Sequence, residues 1–298
     1  MSALRPLPPA ASLERRPETR EEPGWIDAAL GSAATRFLVS CGTTHLIRRE
    51  PRTQIAFLRS DHALIAGAQR SQLVLLGWFQ GQRCVLVDLP ADHSPGVAGA
   101  TLEELRSVIA LLPEDEAQLL VYARALIVWR ARHRHCGVCG APTEARSAGH
   151  VLACTANHCG AEFFPRIDPA VIVLVTDDGH ALLGRQASWA PGRYSALAGF
   201  VEVGESLEEA VAREVAEETG TVVTEVSYFG SQPWPFPASL MLAYRARARR
   251  AAVQLDGELE DARWFKVDEL RSAEEKALPP PYTIARQLIE AWLQEQRP

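Results

Sequence analysis

The stretch Gly199–Gly220, GFVEVGESLEEAVAREVAEETG, concentrates the chemistry of this chain. Ser206 and Glu209 have the spacing of a capping box, so a helix is expected to begin near Leu207, and Gly220 is placed to end it. At about 100° per residue, Leu207, Val211 and Val215 make an apolar stripe. Glu214, Glu217 and Glu218 fall on the adjoining stripe, because residues three and four apart share a helix face. Carboxylates beside a packing edge sit in a cleft. Three of them so close repel one another unless a cation intervenes, and Arg213 and a hard divalent ion such as Mg²⁺ or Mn²⁺ are the obvious candidates. The bland alternative is a solvated acidic face.

A second cluster joins Cys136-x-x-Cys139 to Cys154-x4-Cys159 across 14 residues that include Gly140, Pro142 and Gly149. Each short pair can offer two sulfurs to one ion, and an intervening hairpin would bring the pairs together. Four thiolates around Zn²⁺ make a closed, structural site. A disulfide framework is the competing reading, and the lack of a secretion signal argues against it. His133, His135, His150 and His158 lie nearby; any one could replace a cysteine as ligand, but solvated surface histidines are the expected reading. Cys41 and Cys84 stand alone in apolar, strand-like runs, as small buried thiols do.

These sites need elements to hold them. The 298 residues suit roughly two domains, and 47% hydrophobic with 23% charged residues is ordinary globular composition. A net charge of −6 offers nucleic acid no global attraction, although Arg130, Arg132 and Arg134 with His133 and His135 make a local basic patch or a solvated helix end. No apolar run reaches the roughly 18 residues of a membrane span. Residues 1–24 read as a Pro- and Arg-rich disordered tail without a signal-peptide core, which makes the cytoplasm the default location. Residues 25–130 hold β-rich runs (RFLVS, TQIAFLRS, SQLVLLGWF, CVLVDL) and, from Thr101 onward, a helical pattern ending in one long helix. Residues 131–166 form the cysteine module. Residues 167–298 begin with a strand and a hairpin turn at Asp177–Gly179, and close on the helix IARQLIEAWLQEQ. SQPWPFPASLM, from Ser231 to Met241, reads as a proline-stiffened loop, either packing or a ligand wall.

The spacing Gly199-x5-Glu205-x7-Arg213-Glu214-Val215-x-Glu217-Glu218-x-Gly220 resembles the signature of the Nudix hydrolases. Thr221, where that signature prefers an aliphatic residue, is the one departure and falls at a packing position. The resemblance implies an α/β/α sandwich and hydrolysis of a nucleoside diphosphate linked to another group. It makes Glu214 and Glu218 the principal metal ligands with Glu217 a further one, Arg213 their orienting cation, and Glu205 part of the same catalytic set. The physics agrees: carboxylates alone would repel a diphosphate, and Mg²⁺ or Mn²⁺ reverses the local sign and acidifies water.

SQPWPFPxSxM after that signature, with four cysteines before it, is similar to the NADH pyrophosphatase family. The implied fold class is an α/β Nudix sandwich preceded by a zinc ribbon and an N-terminal β-rich α+β domain. The implied substrate contacts are Gln232, Pro233, Trp234, Pro235, Phe236, Pro237, Ala238 and Ser239, together with Ala198, Ala285, Phe164 and Arg106. Core packing is an equal reading for Trp234, Phe236 and Phe164. Glu258 matches a metal ligand from outside the helix. Gly149 falls where some members carry glutamate, so a polar contact is expected to be missing. The implied activity is cleavage of NADH or NAD⁺ to nicotinamide mononucleotide and AMP, or the same cut in an NAD cap on RNA, by a homodimer. A Nudix enzyme for ADP-ribose or a flavin dinucleotide is the alternative. A zinc-ribbon binding protein with a vestigial Nudix fold is disfavoured by the intact glutamates.

Overall fold

A computed structural model describes residues 12–255 and 257–296. The chain forms two compact units, Met1–Arg166 and Ile167–Pro298.

In the first unit one sheet contains β1 (Leu13–Glu14), β2 (Arg36–Cys41), β3 (Thr44–Arg48), β4 (Gln54–Ile55), β5 (Leu73–Phe79), β6 (Gln82–Leu89) and β7 (Thr101–Glu104). Its order is β1-β5-β6-β2-β3-β4, with β7 also on β3, and β2 and β6 run parallel. The helices are α1 (Trp25–Leu30), α2 (Ala63–Ala66), α3 (Leu105–Val108) and α4 (Glu114–Arg132). Acids open α4 and Arg130 and Arg132 close it, complementing the helix dipole.

Two expectations change here. Of the tail expected over residues 1–24, residues 1–11 lie outside the described part, but Leu13 and Glu14 pair with Phe79 and Trp78. The arginines that suggested disorder stack instead: Arg16 lies 4.5 Å over the Trp78 ring and Arg15 4.1 Å over Tyr122. The helical pattern expected from Thr101 starts only at Leu105, because Thr101–Glu104 finds a strand partner in β3. Sheet pairing overrides a local propensity of a few tenths of a kcal/mol per residue.

The cysteine module follows as a small sheet of β8 (Thr143–Arg146), β9 (Val151–Cys154) and β10 (Glu162–Phe163), in the order β10-β9-β8. The turn between β8 and β9 puts Ala148 into the hydrophobic core of the first unit. His150, expected on the surface, is buried, and its Nε2 lies 2.8 Å from the Leu75 carbonyl oxygen. Burial lowers its pKa to about 4 and keeps the ring neutral. Arg130 is likewise no solvated helix end: it donates to the Ser71 carbonyl at 2.8 Å and pairs with Asp88.

The second unit holds β11 (Asp168–Asp177), β12 (His180–Arg185), β13 (Leu197–Phe200), α5 (Leu207–Thr219), β14 (Val223–Trp234), β15 (Ser239–Ala248), β16 (Asp261–Lys266), α6 (Val267–Arg271) and α7 (Ile284–Glu295). The sheet order is β14-β15-β11-β12-β16, with β13 on β11 and with β11 and β15 parallel. Strand β11 is apolar on both faces because both are covered. Val171, Val173 and Val175 pack with Val211 and Val215 of α5. Ile172 and Leu174 pack with Leu288, Ile289 and Trp292 of α7. Each such side chain contributes about 1.5–3 kcal/mol on burial. The result is the α/β/α sandwich, a central sheet that holds α5 rigidly on one face.

Candidate active site

Helix α5 is built as its sequence requires. The Ser206 backbone N–H donates to Glu209 Oε2 at 2.8 Å, Ser206 Oγ accepts from the Glu209 backbone N–H at 3.3 Å, and Gly220 ends the helix at φ 67°. Val211 and Val215 are fully buried. That anchoring turns Glu218 inward, 3% exposed, and leaves Glu217 outermost with 55% of its side chain in solvent.

Arg213 organises the carboxylates. Its Nε and Nη2 donate to the two Glu205 oxygens at 2.6 and 3.0 Å, a bidentate pair. Its Nη1 donates to Glu214 Oε1 at 3.0 Å and to Glu217 Oε2 at 2.9 Å, and Nη2 also reaches the Phe200 carbonyl at 2.9 Å. Hydrogen bonding from Arg213 holds the Glu205 carboxyl below the usual carboxylate range and, reciprocally, raises Arg213 above its own. Glu214 moves the other way. Burial pushes its pKa up, Arg213 opposes this, and the charges of Glu217 and Glu258 push it further up. Glu258 thus acts on Glu214 from a segment outside α5.

The backbone of β13 completes the cradle. A Cβ on Gly199 would lie 1.9 Å from Glu214 Cδ and 2.0 Å from each of its oxygens, so the Glu214 carboxylate rests directly on a bare Cα. The donor set, carboxylate oxygens in excess of the one arginine, fits a hard divalent cation. Nothing in this arrangement favours a soft or redox-active metal.

The four cysteines converge as well. Their sulfurs all lie within 4.8 Å of one another, with Cys136–Cys159 at 3.7 Å and Cys139–Cys154 at 3.4 Å. A tetrahedral zinc with bonds of about 2.3 Å needs sulfurs about 3.8 Å apart, so the quartet fits that ion. The Val138 and Ala156 backbone N–H groups donate to Cys136 and Cys154 at 3.4 Å, which favours the thiolates.

Three family models match consecutive stretches: a NADH pyrophosphatase-like rudimentary NUDIX domain over residues 34–129, a NADH pyrophosphatase zinc ribbon domain over 131–164, and a NUDIX domain over 166–288. The chain is 45% identical over 221 residues to the NAD-capped RNA hydrolase NudC of Stutzerimonas stutzeri, covering 73% of this chain and 76% of that protein. This places it. The chain belongs to the NADH pyrophosphatase family of Nudix hydrolases. NudC of Pseudomonas aeruginosa is 39% identical over 250 residues, 80% of this chain and 86% of that protein. The human mitochondrial NAD(P)H pyrophosphatase NUDT13 is 39% identical over 211 residues, 65% and 59%.

In this Nudix hydrolase the expected substrate contacts are spread over both units. Arg106 on α3 and Phe164 after β10 belong to the first, where both are exposed. Ala198 lies exposed on β13 beside Gly199, opposite Ile172. Ala285 is 5% exposed on α7 and belongs to the apolar core beneath that helix.

SQPWPFPASLM is a hairpin rather than a loop. Gln232, Pro233 and Trp234 end β14 opposite Met241, Leu240 and Ser239 of β15, and Pro235, Phe236, Pro237 and Ala238 make the turn. Of the three prolines only Pro233 lies in β14, and β14 is the sheet edge, where proline is tolerated. Trp234 and Phe236 pack edge to face, with centroids 5.2 Å apart at 72°. The Gln232 amide is bonded at both ends to the start of α7.

Gly149 has little room for a side chain. At φ +93°, a Cβ there would sit 2.9 Å from both Val74 methyls and 3.2 Å from Arg130 Nη1, so a side chain is excluded by the core. Sequence reasoning missed Arg286, which is 9% exposed and tied to Glu275, Glu290 and the Pro279 carbonyl. Nothing in its helical context distinguishes it from a surface arginine.

Proposed function

We propose that this Nudix hydrolase cuts the diphosphate bond of NADH or NAD⁺, giving nicotinamide mononucleotide and AMP, and cuts the same bond in an NAD cap at an RNA 5′ end. The observation that carries the reading is the carboxylate set on α5, ordered by one bidentate arginine, in a chain whose three consecutive parts match the family's. Glu214 and Glu218 would hold the catalytic ion, with Glu217 and Glu258 completing its environment. Bound Mg²⁺ or Mn²⁺ supplies positive charge against the diphosphate and acidifies water for attack at phosphorus.

The chain's own residues do the rest. Glu205 fixes Arg213, and Arg213 fixes Glu214 and Glu217, so the ligands need little reorganisation when the ion arrives. Burial makes Glu214 a more basic oxygen donor than an exposed glutamate. Trp234 and Phe236 offer a rigid aromatic wall for a flat base, and Ala198 leaves room beside Gly199. Zn²⁺ at Cys136, Cys139, Cys154 and Cys159 is structural, since four thiolates leave no open position. The working form is a cytoplasmic homodimer.

The test offers purified protein NADH, NAD⁺, ADP-ribose, a flavin dinucleotide and NAD-capped RNA with Mg²⁺ or Mn²⁺, and compares kcat/KM. Nicotinamide compounds should lead. A higher value for ADP-ribose or the flavin would overturn the substrate assignment while leaving the diphosphatase chemistry.

A further inference from the structure

The Gln232 side-chain amide uses both of its ends, one as donor and one as acceptor, on the same segment of chain. Its Nε2 donates to the Tyr282 carbonyl at 2.7 Å, and its Oε1 accepts from the Ile284 backbone N–H at 2.8 Å. The partners determine which way the amide points, because a carbonyl can only accept and an N–H can only donate. Ile284 is the first residue of α7, so its N–H is one of the donors a helix start leaves without an internal partner. Thr283 Oγ1 caps a second, the Arg286 N–H, at 3.3 Å. The chain therefore caps α7 twice, once locally from Thr283 and once across the sheet edge from β14.

The segment held in this way matters for the site. Tyr282 and Thr283 join the Pro279–Pro281 run to α7, and Arg286 Nη1 donates to the Pro279 carbonyl at 3.1 Å. Gln232 stands two residues before Trp234 on β14, so strand alternation puts both on one face of the strand. The aromatic hairpin and the start of α7 are thus joined through one amide.

We infer that Gln232 is a positioning residue: it sets the spacing between the Trp234–Phe236 hairpin and the start of α7. The inference rests on the proposed dinucleotide reading for the importance of that spacing, but not for the strut itself. Among common side chains only glutamine, or a protonated glutamate, offers a donor and an acceptor at this reach. Gln232→Glu at neutral pH sets a carboxylate oxygen against the Tyr282 carbonyl, and acidification restores the donor.

Two readouts separate the possibilities. Hydrogen exchange at the Ile284 amide, measured without substrate, should be about tenfold faster in Gln232→Ala, as expected for one lost cap. In Gln232→Glu the same loss of protection should appear near neutrality and recover as the pH falls towards the carboxyl range of about 4 to 5. With NADH, KM should rise about tenfold in both variants near neutrality while kcat stays within about threefold. A raised KM with Ile284 protected as in the parent would make Gln232 a direct substrate contact and overturn the inference. Unchanged exchange and unchanged KM would also overturn it. If Gln232→Ala does not fold, Gln232→Glu at two pH values decides alone. If the parent cleaves no nicotinamide dinucleotide, the functional reading fails, and the exchange data still decide the strut.

Discussion

Replacing Gly199 by alanine would put a methyl group where the Glu214 carboxylate now lies. The new Cβ would be 1.9 Å from Cδ and 2.0 Å from both oxygens, whereas ordinary contact begins at 3.4 Å. The carboxylate must retreat by roughly 1.4 Å, and a misplacement of about 1 Å can cost about 100-fold in rate. Its bond to Arg213, 3.0 Å long, would be lost at the same time. The obstacle is the end of a flexible side chain, so the fold should suffer little. An off-rotamer glutamate costs about 0.5–1.5 kcal/mol, or about 2–6 °C in Tm for a unit of this size. The expected outcome is kcat/KM for NADH with Mg²⁺ lower by about 100- to 1,000-fold, or about 3–4 kcal/mol of transition-state stabilisation. Steady-state kinetics, calorimetry and Mn²⁺ titration followed by electron paramagnetic resonance would measure the three effects separately. Activity within about threefold of the parent would refute the cradle argument. So would an activity loss matched by a Tm fall well beyond that range.

Further predictions test the other groups. Glu218→Gln should cut turnover by about 1,000-fold or more while Tm holds or rises, since it removes a carboxylate that is 3% exposed; retained turnover would show the helix was misread. Metal analysis should find one zinc per chain, and Cys139→Ser or strong chelation should lower the Tm of the first unit; substoichiometric zinc in the parent would count against the site. Gly149→Glu should destabilise by about 1–3 kcal/mol in urea titration and gain no substrate affinity, because the new side chain meets Val74. Glu205 has its folded pKa lowered by Arg213, so its stabilisation is full above the ordinary carboxyl range and is lost as pH falls through the folded value. The Tm gap between parent and Glu205→Gln should therefore be open at neutral pH and close in acid; a gap constant with pH would refute the pairing.

What was legible in advance was what local spacing controls. The capping box, the stripe that separates Val211 and Val215 from Glu214, Glu217 and Glu218, and the glycine that ends the helix follow from the geometry of a single helix. The cysteine quartet was legible because two short pairs can reach one ion without knowledge of the remaining fold. The turn at Asp177–Gly179 was equally local. Where partners lie far apart in sequence, local signals misled. Thr101–Glu104 is a strand because β3 is there to receive it, and Leu13–Glu14 because β5 is. The prolines after Ser231 suggested a loop because nothing in the run itself says that β14 is a sheet edge. His150 is buried because the β8–β9 turn enters the core of the first unit, and Arg130 is engaged because Ser71 and Asp88, far away in sequence, lie beside it.

The division has a physical reason. A helix or a short metal-binding turn is specified by residues within a few positions of one another, so residue type and spacing determine the inventory of groups able to do chemistry. Sheet pairing, burial and the desolvation that raises the Glu214 pKa depend on contacts whose sequence separation no local pattern encodes. The sequence by itself determined which carboxylates and thiols this protein brings to bear. Only the tertiary structure decided that Glu214 rests on the bare Cα of Gly199, and that the Gln232 amide faces α7 rather than open space.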